Sequence, residues 1–258
     1  MEKFPKHSSL WLLMVWMMLA ATSLSAQQPI VVELFTSEGC SSCPPADALL
    51  SSLSRQRGAV QGVELILLGE HVEYWNELGW RDRFSAPAFT QRQYDYVREL
   101  HLATAYTPQI VIDGHLQTAG GNAPAVRQLI ATAARTPKPA TVALSLVSSE
   151  KLRVTVTNAG PAKLQVLLAV TENNLSTTVH AGENGGRVLQ HSAVVRELHS
   201  LGSTANGSFD KTVALPHKPD WKQEDLRFVV LVQDASSGAI LGAADRDPQD
   251  LSLTPALH

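Results

Sequence analysis

The chain has 258 residues, of which 44% are hydrophobic and 17% charged, and its formal net charge is −3. This composition is ordinary for a globular protein and argues against a disordered or coiled-coil chain. A small negative charge without a basic cluster argues against nucleic acid or an anionic membrane surface as a partner. The length favours two domains.

The first 26 residues have the layout of a secretory signal peptide. Lys3 and Lys6 give a basic start, residues 10–21 form an almost unbroken apolar run, and the stretch 23–26 (Ser-Leu-Ser-Ala) offers small residues suited to cleavage. The alternative is a membrane anchor, but the run is shorter than the roughly 20 apolar residues that a spanning helix needs. We therefore predict that residues 1–26 are cleaved and that the protein is periplasmic or secreted, with no membrane span afterwards.

A strand, a helix and a second strand follow. Residues 30–36 are rich in β-branched and apolar residues, residues 46–53 have helical spacing, and residues 63–68 form another apolar run. These patterns predict a βαβ unit with two parallel strands. Cys40 and Cys43, the two cysteines of the chain, lie between the first strand and the helix.

A Cys-x-x-Cys pair at the start of a helix indicates thiol redox chemistry, because the helix N-terminus favours a thiolate over a thiol. The alternative is a structural bridge. A bridge between Cys40 and Cys43 closes a very short loop, however, and removes little entropy from the unfolded chain. A structural zinc site usually takes four ligands, and the chain has no second cysteine pair. We therefore interpret the pair as a redox dithiol and expect no cofactor.

Residues 70–84 are unusually aromatic for a loop. Their large side chains either line a peptide-binding cleft beside the dithiol or pack the loop and a domain interface, and packing is the favoured interpretation: Tyr74, Trp75, Trp80 and Phe84. His71 stands at the start of this segment. It either ligates a metal together with the two thiolates or, as the favoured interpretation, makes a hydrogen bond in a partly buried loop.

The next elements are a helix over residues 88–100, a strand entered through Thr107-Pro108, and a hairpin at Asp113-Gly114. A further helix follows Asn122, which is a suitable N-cap, and has a proline in its first turn. The resulting order is β-α-β-α-β-β-α. With Cys-x-x-Cys after the first strand and X-Pro before the third, this order resembles the thioredoxin layout.

Residues 136–139 predict a linker, because two prolines in four residues resist both helix and sheet. Beyond the linker, several short strands with regular turn signals favour a β-sandwich. We therefore predict an α/β protein with a thioredoxin-like domain at 27–136 and a smaller all-β, sandwich-like domain at 137–258. The second domain contains His180, His191 and His199, to which the sequence assigns no role.

The chain resembles a family of exported bacterial proteins of unknown function with a thioredoxin-like fold. The stretches that carry the resemblance cover much of the chain: ELFTSEGCSSCPPAD (33–47), HVEYWNELGWRDRF (71–84), TQRQ (90–93), YTPQIVIDG (106–114) and AGENGGRVLQHSAVV (181–195). The resemblance implies the fold and the compartment, with a weak preference for redox activity.

Similarity to the wider thioredoxin-like superfamily implies roles at matching positions. Cys40 would be the exposed attacking thiol and Cys43 the buried resolving thiol. Pro108 would be a cis proline lying against the dithiol, with Thr107 facing the substrate. Glu33 stands seven residues before Cys40. It either lies buried beneath the dithiol as a proton acceptor, with a raised pKa, or faces solvent at a strand edge.

Two positions depart from the superfamily pattern. Many redox-active members have an aromatic residue before the first cysteine, where this chain has Gly39. Pro44 and Pro45 directly follow the second cysteine and remove two N–H donors. We therefore expect the helix to start a turn later, which would leave the Cys40 thiol less acidic than in thioredoxin.

The resulting hypothesis is an exported thiol–disulfide oxidoreductase that acts on protein disulfides, with exported protein thiols and an unidentified redox partner as its partners. One alternative is a copper metallochaperone that uses Cys40, Cys43 and a histidine such as His71. The cysteines of thioredoxin-like copper chaperones are usually one residue further apart. The other alternative is a non-catalytic thioredoxin-like binding module with a vestigial dithiol.

Overall fold

A computed structural model of the protein describes residues 27–56, 62–148 and 150–248. The predicted signal peptide at 1–26 lies outside these ranges. The described chain is a mixed α/β fold with many strands and few helices. Within the described residues, no helix has the length and the apolar character needed to cross a membrane.

The first half of the described chain has the predicted order β-α-β-α-β-β-α. Its elements are β1 (Gln28–Thr36), α1 (Pro44–Arg55), β2 (Val63–His71), α2 (Pro87–Glu99), β3 (Gln109–Ile112), β4 (Leu116–Ala119) and α3 (Ala123–Ala133). Strands β1 and β2 are parallel, as predicted for a βαβ unit. Strand β3 is antiparallel to β1, and β4 is antiparallel to β3.

Helix α1 begins directly after the second cysteine, so the expectation of a delayed helix is wrong. Pro44 and Pro45 occupy its first positions, and Cys43 is the N-cap residue. Proline suits this place because the first N–H groups of a helix have no intrahelical partner and its fixed φ is helical. The Cys43 carbonyl accepts the N–H groups of Ala46 and Asp47, at 2.9 and 3.1 Å.

The second half is built from strands. They are β5 (Thr141–Ser148), β6 (Lys151–Thr157), β7 (Gln165–Glu172), β8 (Leu175–Thr178), β9 (Val188–His191), β10 (Val194–Ser203), β11 (Phe209–Ala214), β12 (Leu226–Gln233) and β13 (Ile240–Arg246). Between residues 137 and 248, the described part contains one 3₁₀ turn and no α-helix. The hairpin formed by β8 and β9 was not predicted from the sequence.

One sheet contains strands from both halves of the chain. Its order is β13-β12-β7-β10-β2-β1-β3-β4, and β10 joins β2 in parallel at the Val194–Gly69 pair. A second sheet has the order β11-β6-β5, and β8 pairs with β9. The division into two domains at 136/137 remains a prediction, because residues on both sides of it form the large sheet.

The alternating side chains of β1 belong to different cores. Val32 and Leu34 pack with Leu50 of α1 in one hydrophobic cluster. Val31 belongs to a cluster on the opposite face, which contains residues of α2, β7, β12 and β13. Because successive side chains of a strand point to opposite faces, Glu33 faces away from α1, on the same side as Val31. A third core lies between the second sheet and β7 and β12.

Candidate functional site

Cys40 and Cys43 form a disulfide at the N-terminal end of α1, with their Cα atoms 5.4 Å apart. The turn that holds them is closed by the Cys40 N–H, which donates to the Ser37 carbonyl, and by the Cys43 N–H, which donates to the Cys40 carbonyl. Both cysteines have 0% exposure. The expectation that Cys40 is exposed is therefore wrong for this disulfide state, whereas the expected burial of Cys43 is confirmed.

Residues 179–187 connect β8 to β9 and are here called the cover loop. They make polar contacts to residues 37–43, the connection between β1 and α1, which is here called the cysteine loop. Asn184 is fully buried, and its Nδ2 donates to the carbonyl oxygens of Glu38 and Cys40, both at 2.9 Å. The Ser41 N–H donates to the Glu183 carboxylate at 3.0 Å. Cys40 is thus held beneath a loop that comes from the second half of the chain.

The Thr107–Pro108 peptide bond is cis, as the resemblance implied. The Thr107 hydroxyl accepts a hydrogen bond from Trp75 Nε1 at 2.8 Å. Trp75 also contacts the residue before the first cysteine, since a Cβ placed on Gly39 would lie 3.1 Å from Trp75 Cβ. Trp75 thus lies close beside Gly39, and a side chain at position 39 would require Trp75 to shift by a few tenths of an ångström.

Pro108 also lies close to α1. A Cβ placed on Gly120 would be 2.9 Å from Ala46 Cβ and 3.1 Å from Pro108 Cβ. The Gly120 N–H donates to the Pro108 carbonyl at 2.9 Å. Gly120 therefore permits the close approach of Pro108 and the first turn of α1.

Glu33 is buried, but it does not lie beneath the dithiol. Its carboxylate accepts hydrogen bonds from Arg92 Nε and from the Tyr96 hydroxyl of α2, both at 2.5 Å. These contacts are on the face of the sheet opposite α1. The hypothesis that Glu33 accepts protons from the dithiol is therefore wrong, and so is the alternative of a solvent-facing acid, because β1 runs through the middle of the large sheet.

Glu70 is a second fully buried acid on this face, at the end of β2. Its Oε1 lies 3.4 Å from Arg92 Nε. Burial, together with the nearby Glu33, raises the pKa of Glu70 well above its usual value, and Arg92 offsets this only in part. Glu70 was not singled out in the sequence, because it follows the apolar run at 63–68 and was assigned to the next loop.

A buried pair of opposite charge lies directly behind the cysteine loop. His71 Nδ1 is 2.6 Å from Asp82 Oδ2, and the same oxygen accepts the Glu38 N–H at 2.8 Å. Burial opposes the charge on His71, but the contact with Asp82 and the nearby carboxylates of Asp47 and Glu38 together raise the pKa of His71. Likewise, burial acts against the Asp82 carboxylate, yet His71 brings the pKa of Asp82 below its usual value. The favoured interpretation of His71 as a hydrogen-bonding residue agrees with this pair.

His191, at the end of β9, packs into the same cluster and was missed from the sequence. Its ring centroid lies 5.0 Å from that of His71, and its Nε2 is 3.2 Å from Glu38 Oε1. Trp80 Nε1 donates to the other Glu38 oxygen at 2.8 Å. The hairpin that carries the cover loop is therefore attached at its base to the loop between β1 and α1.

Asp47 is the acid that α1 buries near the dithiol. Its Oδ1 accepts a hydrogen bond from Thr36 Oγ1 at 2.9 Å. Burial raises the pKa of Asp47, although the histidines at 191 and 71 act in the opposite direction. The sequence predicts that Asp47 lies in the first turn of a helix, but it does not predict that Asp47 is buried.

The aromatic residues of the 70–84 segment serve mainly in packing and hydrogen bonding. The Tyr74 hydroxyl donates to Gln93 Oε1 at 3.0 Å, and Phe84 contacts the rings of His71 and His191.

Within the described ranges, no three His, Cys, Asp or Glu side chains are grouped so that they could hold a metal ion. An open groove beside the dithiol is lined by Ser41, Pro44, Pro45, Arg187, Val188 and Leu189.

The chain is similar to two solved structures over most of its length. A structural-genomics protein from Agrobacterium tumefaciens is 28% identical, with a TM-score of 0.67, over 87% of this chain and 96% of that one. HBP35 of Porphyromonas gingivalis is 18% identical, with a TM-score of 0.65, over 91% of this chain and 79% of that one, which shows similarity of fold alone. No curated protein matches the chain.

The family to which these residues belong is shown by a sequence profile. The profile of DUF1223, described as a protein of unknown function, matches residues 31–233. This range includes the dithiol, the His71–Asp82 pair and the cover loop, and it spans most of the described residues. The chain therefore belongs to the DUF1223 family of proteins of unknown function.

Proposed function

We propose that this protein is an exported thiol–disulfide oxidoreductase with a thioredoxin-like scaffold, in which Cys40 and Cys43 exchange electrons with protein thiols and disulfides. The observation that carries the proposal is the disulfide between these two residues at the N-terminal end of α1. The cis Thr107–Pro108 bond and Trp75 beside it support the proposal, because they lie next to the cysteine loop.

In the oxidising direction, a substrate thiolate attacks Cys40 Sγ, the Cys40–Cys43 bond breaks, and Cys43 leaves as a thiolate. A second substrate thiolate then attacks the substrate sulfur of this mixed disulfide and releases the Cys40 thiolate. The substrate loses two electrons and gains a disulfide, and the protein becomes a dithiol. The reducing direction runs these steps backwards, and an exported redox partner restores the starting state.

The local backbone favours Cys43 as a leaving group. The N-terminal end of a helix carries partial positive charge, which stabilises a thiolate at the N-cap position. Cys43 is the N-cap of α1. Cys40, like Cys43, has 0% exposure in the disulfide state, so a substrate reaches it only after the surrounding chain has moved; the cover loop is bonded to the Cys40 carbonyl. The groove along Pro44 and Val188 offers a surface for the substrate beside this point.

Insulin reduction by dithiothreitol tests the activity. Wild-type protein is expected to accelerate insulin precipitation, and Cys40→Ser is expected to reduce the rate to that of dithiothreitol alone. Ser54→Ala, at the opposite end of α1, is the matched control and should behave as wild type. If wild type and Cys40→Ser give equal rates here and in the oxidative refolding of a reduced, unfolded protein, the proposal is wrong.

Export is tested separately by expressing the whole chain in a Gram-negative host and determining the N-terminus of the protein found in the periplasmic fraction. We expect the chain to begin at Gln27, directly after the predicted signal peptide. Recovery of the intact N-terminus in the cytoplasm would contradict the proposed compartment.

A further inference from the structure

We propose that the cover loop, residues 179–187, is a redox-linked lid: it closes over Cys40 in the disulfide state and is released when the disulfide is reduced. The inference rests on the proposed function in that it assumes a pair that cycles between disulfide and dithiol. It adds the regulation of that site, namely that the oxidation state of the pair controls access to Cys40.

The lid is held by the segment whose geometry the disulfide fixes. Asn184 donates to the carbonyls of Glu38 and Cys40, and Glu183 accepts the N–H of Ser41. These three anchors lie within four consecutive residues that include Cys40. A change in the backbone around Cys40 therefore acts on all of them together.

The lid contributes one amide, oriented by Arg187, and one carboxylate, that of Glu183. Arg187 donates to Asn184 Oδ1 at 2.8 Å, which leaves the two Nδ2 hydrogens of Asn184 directed at the two carbonyls. Glu183 is exposed, and its hydrogen bond with Ser41 lowers the pKa of its carboxyl group. The closed lid therefore places a carboxylate against the residue that follows Cys40.

Reduction disturbs both the backbone around Cys40 that anchors the lid and the place of the Glu183 carboxylate beside it. Two electrons and two protons convert the S–S bond into two thiol groups, while a dithiol reductant is oxidised to its cyclic disulfide. Two separate thiol groups need more room than a bonded pair, and Cys40 lies in a site with no exposed surface. When Cys40 ionises, its negative charge stands one residue before Ser41, whose N–H binds the Glu183 carboxylate, and like charges repel. The lid is thus less stable over the dithiol than over the disulfide.

The coupling must act in both directions, because the effect of oxidation state on the lid equals the effect of the lid on the redox equilibrium. A lid that closes preferentially over the disulfide makes the disulfide harder to reduce. Loosening the lid is therefore expected to favour reduction. A coupling of tenfold corresponds to a rise of about 30 mV in the reduction potential of this two-electron couple.

Hydrogen exchange on the purified wild-type protein tests the release of the lid without any protein substrate. We compare the amides of residues 179–187 in the oxidised protein and in the protein kept reduced with dithiothreitol. Exchange is expected to be at least about fivefold faster in the reduced state, the low end of typical coupling factors. Exchange at the same rate in both states overturns the inference.

Equilibration with glutathione tests the reverse effect. Asn184→Ala is expected to raise the equilibrium constant for reduction by at least about fivefold. Gln190→Ala, an exposed residue of β9, is the matched control and should leave that constant unchanged. Equal constants for wild type and Asn184→Ala overturn the inference, even where insulin reduction succeeds. Failure of both the insulin assay and the oxidative refolding assay, together with a redox-dependent lid, instead rejects the proposed function and keeps the lid.

Discussion

Replacing Arg92 with methionine removes the cation that faces two buried carboxyl groups. Arg92 Nε is 2.5 Å from Glu33 and 3.4 Å from Glu70, and the other guanidinium nitrogens donate to Gln233 and the Tyr96 hydroxyl. Both acids have 0% exposure, and the Arg92 side chain is 10% exposed. Methionine fills a similar volume, so the main effect is the loss of charge and of hydrogen bonds.

The expected cost follows from the two acids that remain. Removing one partner of a buried ion pair costs about 3–5 kcal/mol, because the other charge stays buried without compensation. For a chain of this size, that corresponds to a fall of roughly 6–20 °C in the melting temperature. Glu33→Gln in the Arg92→Met background removes the uncompensated carboxylate, so the double variant should recover much of the loss.

Thermal and urea unfolding, followed by far-ultraviolet circular dichroism, measure the effect. Arg98→Met is the control, since Arg98 lies on the same helix with a side chain that is 64% exposed. This variant should melt with the wild type. An Arg92→Met protein within about 1 kcal/mol of wild type, or a double variant less stable than Arg92→Met, would refute the assignment of Arg92 as the compensating charge.

Three further predictions concern the His71–Asp82 pair, the core between the second sheet and β7 and β12, and the cover loop. The pKa of His71 is raised in the folded state, so its pairing with Asp82 stabilises the protein fully below about pH 6.5 and less as the pH rises through the folded pKa. The difference in unfolding free energy between wild type and His71→Gln should therefore shrink as the pH rises above the folded pKa. A difference that stays constant with pH in urea unfolding would contradict the pairing. Leu152→Ala, at a fully buried position of β6, should cost about 2–5 kcal/mol in urea unfolding, and a near-neutral result would place Leu152 outside the core. Gly182→Ala should destabilise the closed cover loop, because φ of Gly182 is +70° and an added Cβ would lie 3.1 Å from Trp80 Cβ. Reduction of the disulfide by dithiothreitol should then be roughly 5- to 30-fold faster. An unchanged rate would show that Gly182 does not hold the lid closed.

Much of the local structure could be predicted from short stretches of sequence. Asp113 and Gly114 both adopt positive φ and turn β3 into β4, as an Asp-Gly pair predicts. Asn122 caps α3 by accepting the Ala125 N–H, at 3.2 Å. In each case the decisive residues lie within a few positions of the element that they define, so local periodicity and turn chemistry are sufficient.

The hairpin of β8 and β9 was missed for a physical reason. Each strand has four residues, and two of the four are exposed in each. Its loop has three glycines and little hydrophobic character, so the sequence around it resembles an ordinary surface connection. What makes the hairpin ordered is its contact with the cysteine loop and with His191, which no local pattern reports.

The sequence by itself determined the order of elements around the dithiol, the place of Cys40 and Cys43 at the start of a helix, and the strand-rich second half. The tertiary structure alone decided which groups meet there. Asn184 covers Cys40 from 144 positions away in the chain, and Glu33 turns from the dithiol to Arg92. Periodicity indicates which face of a strand is buried. Which residues pack against that face depends on the pairing of β10 with β2 and on the loops that this pairing brings together.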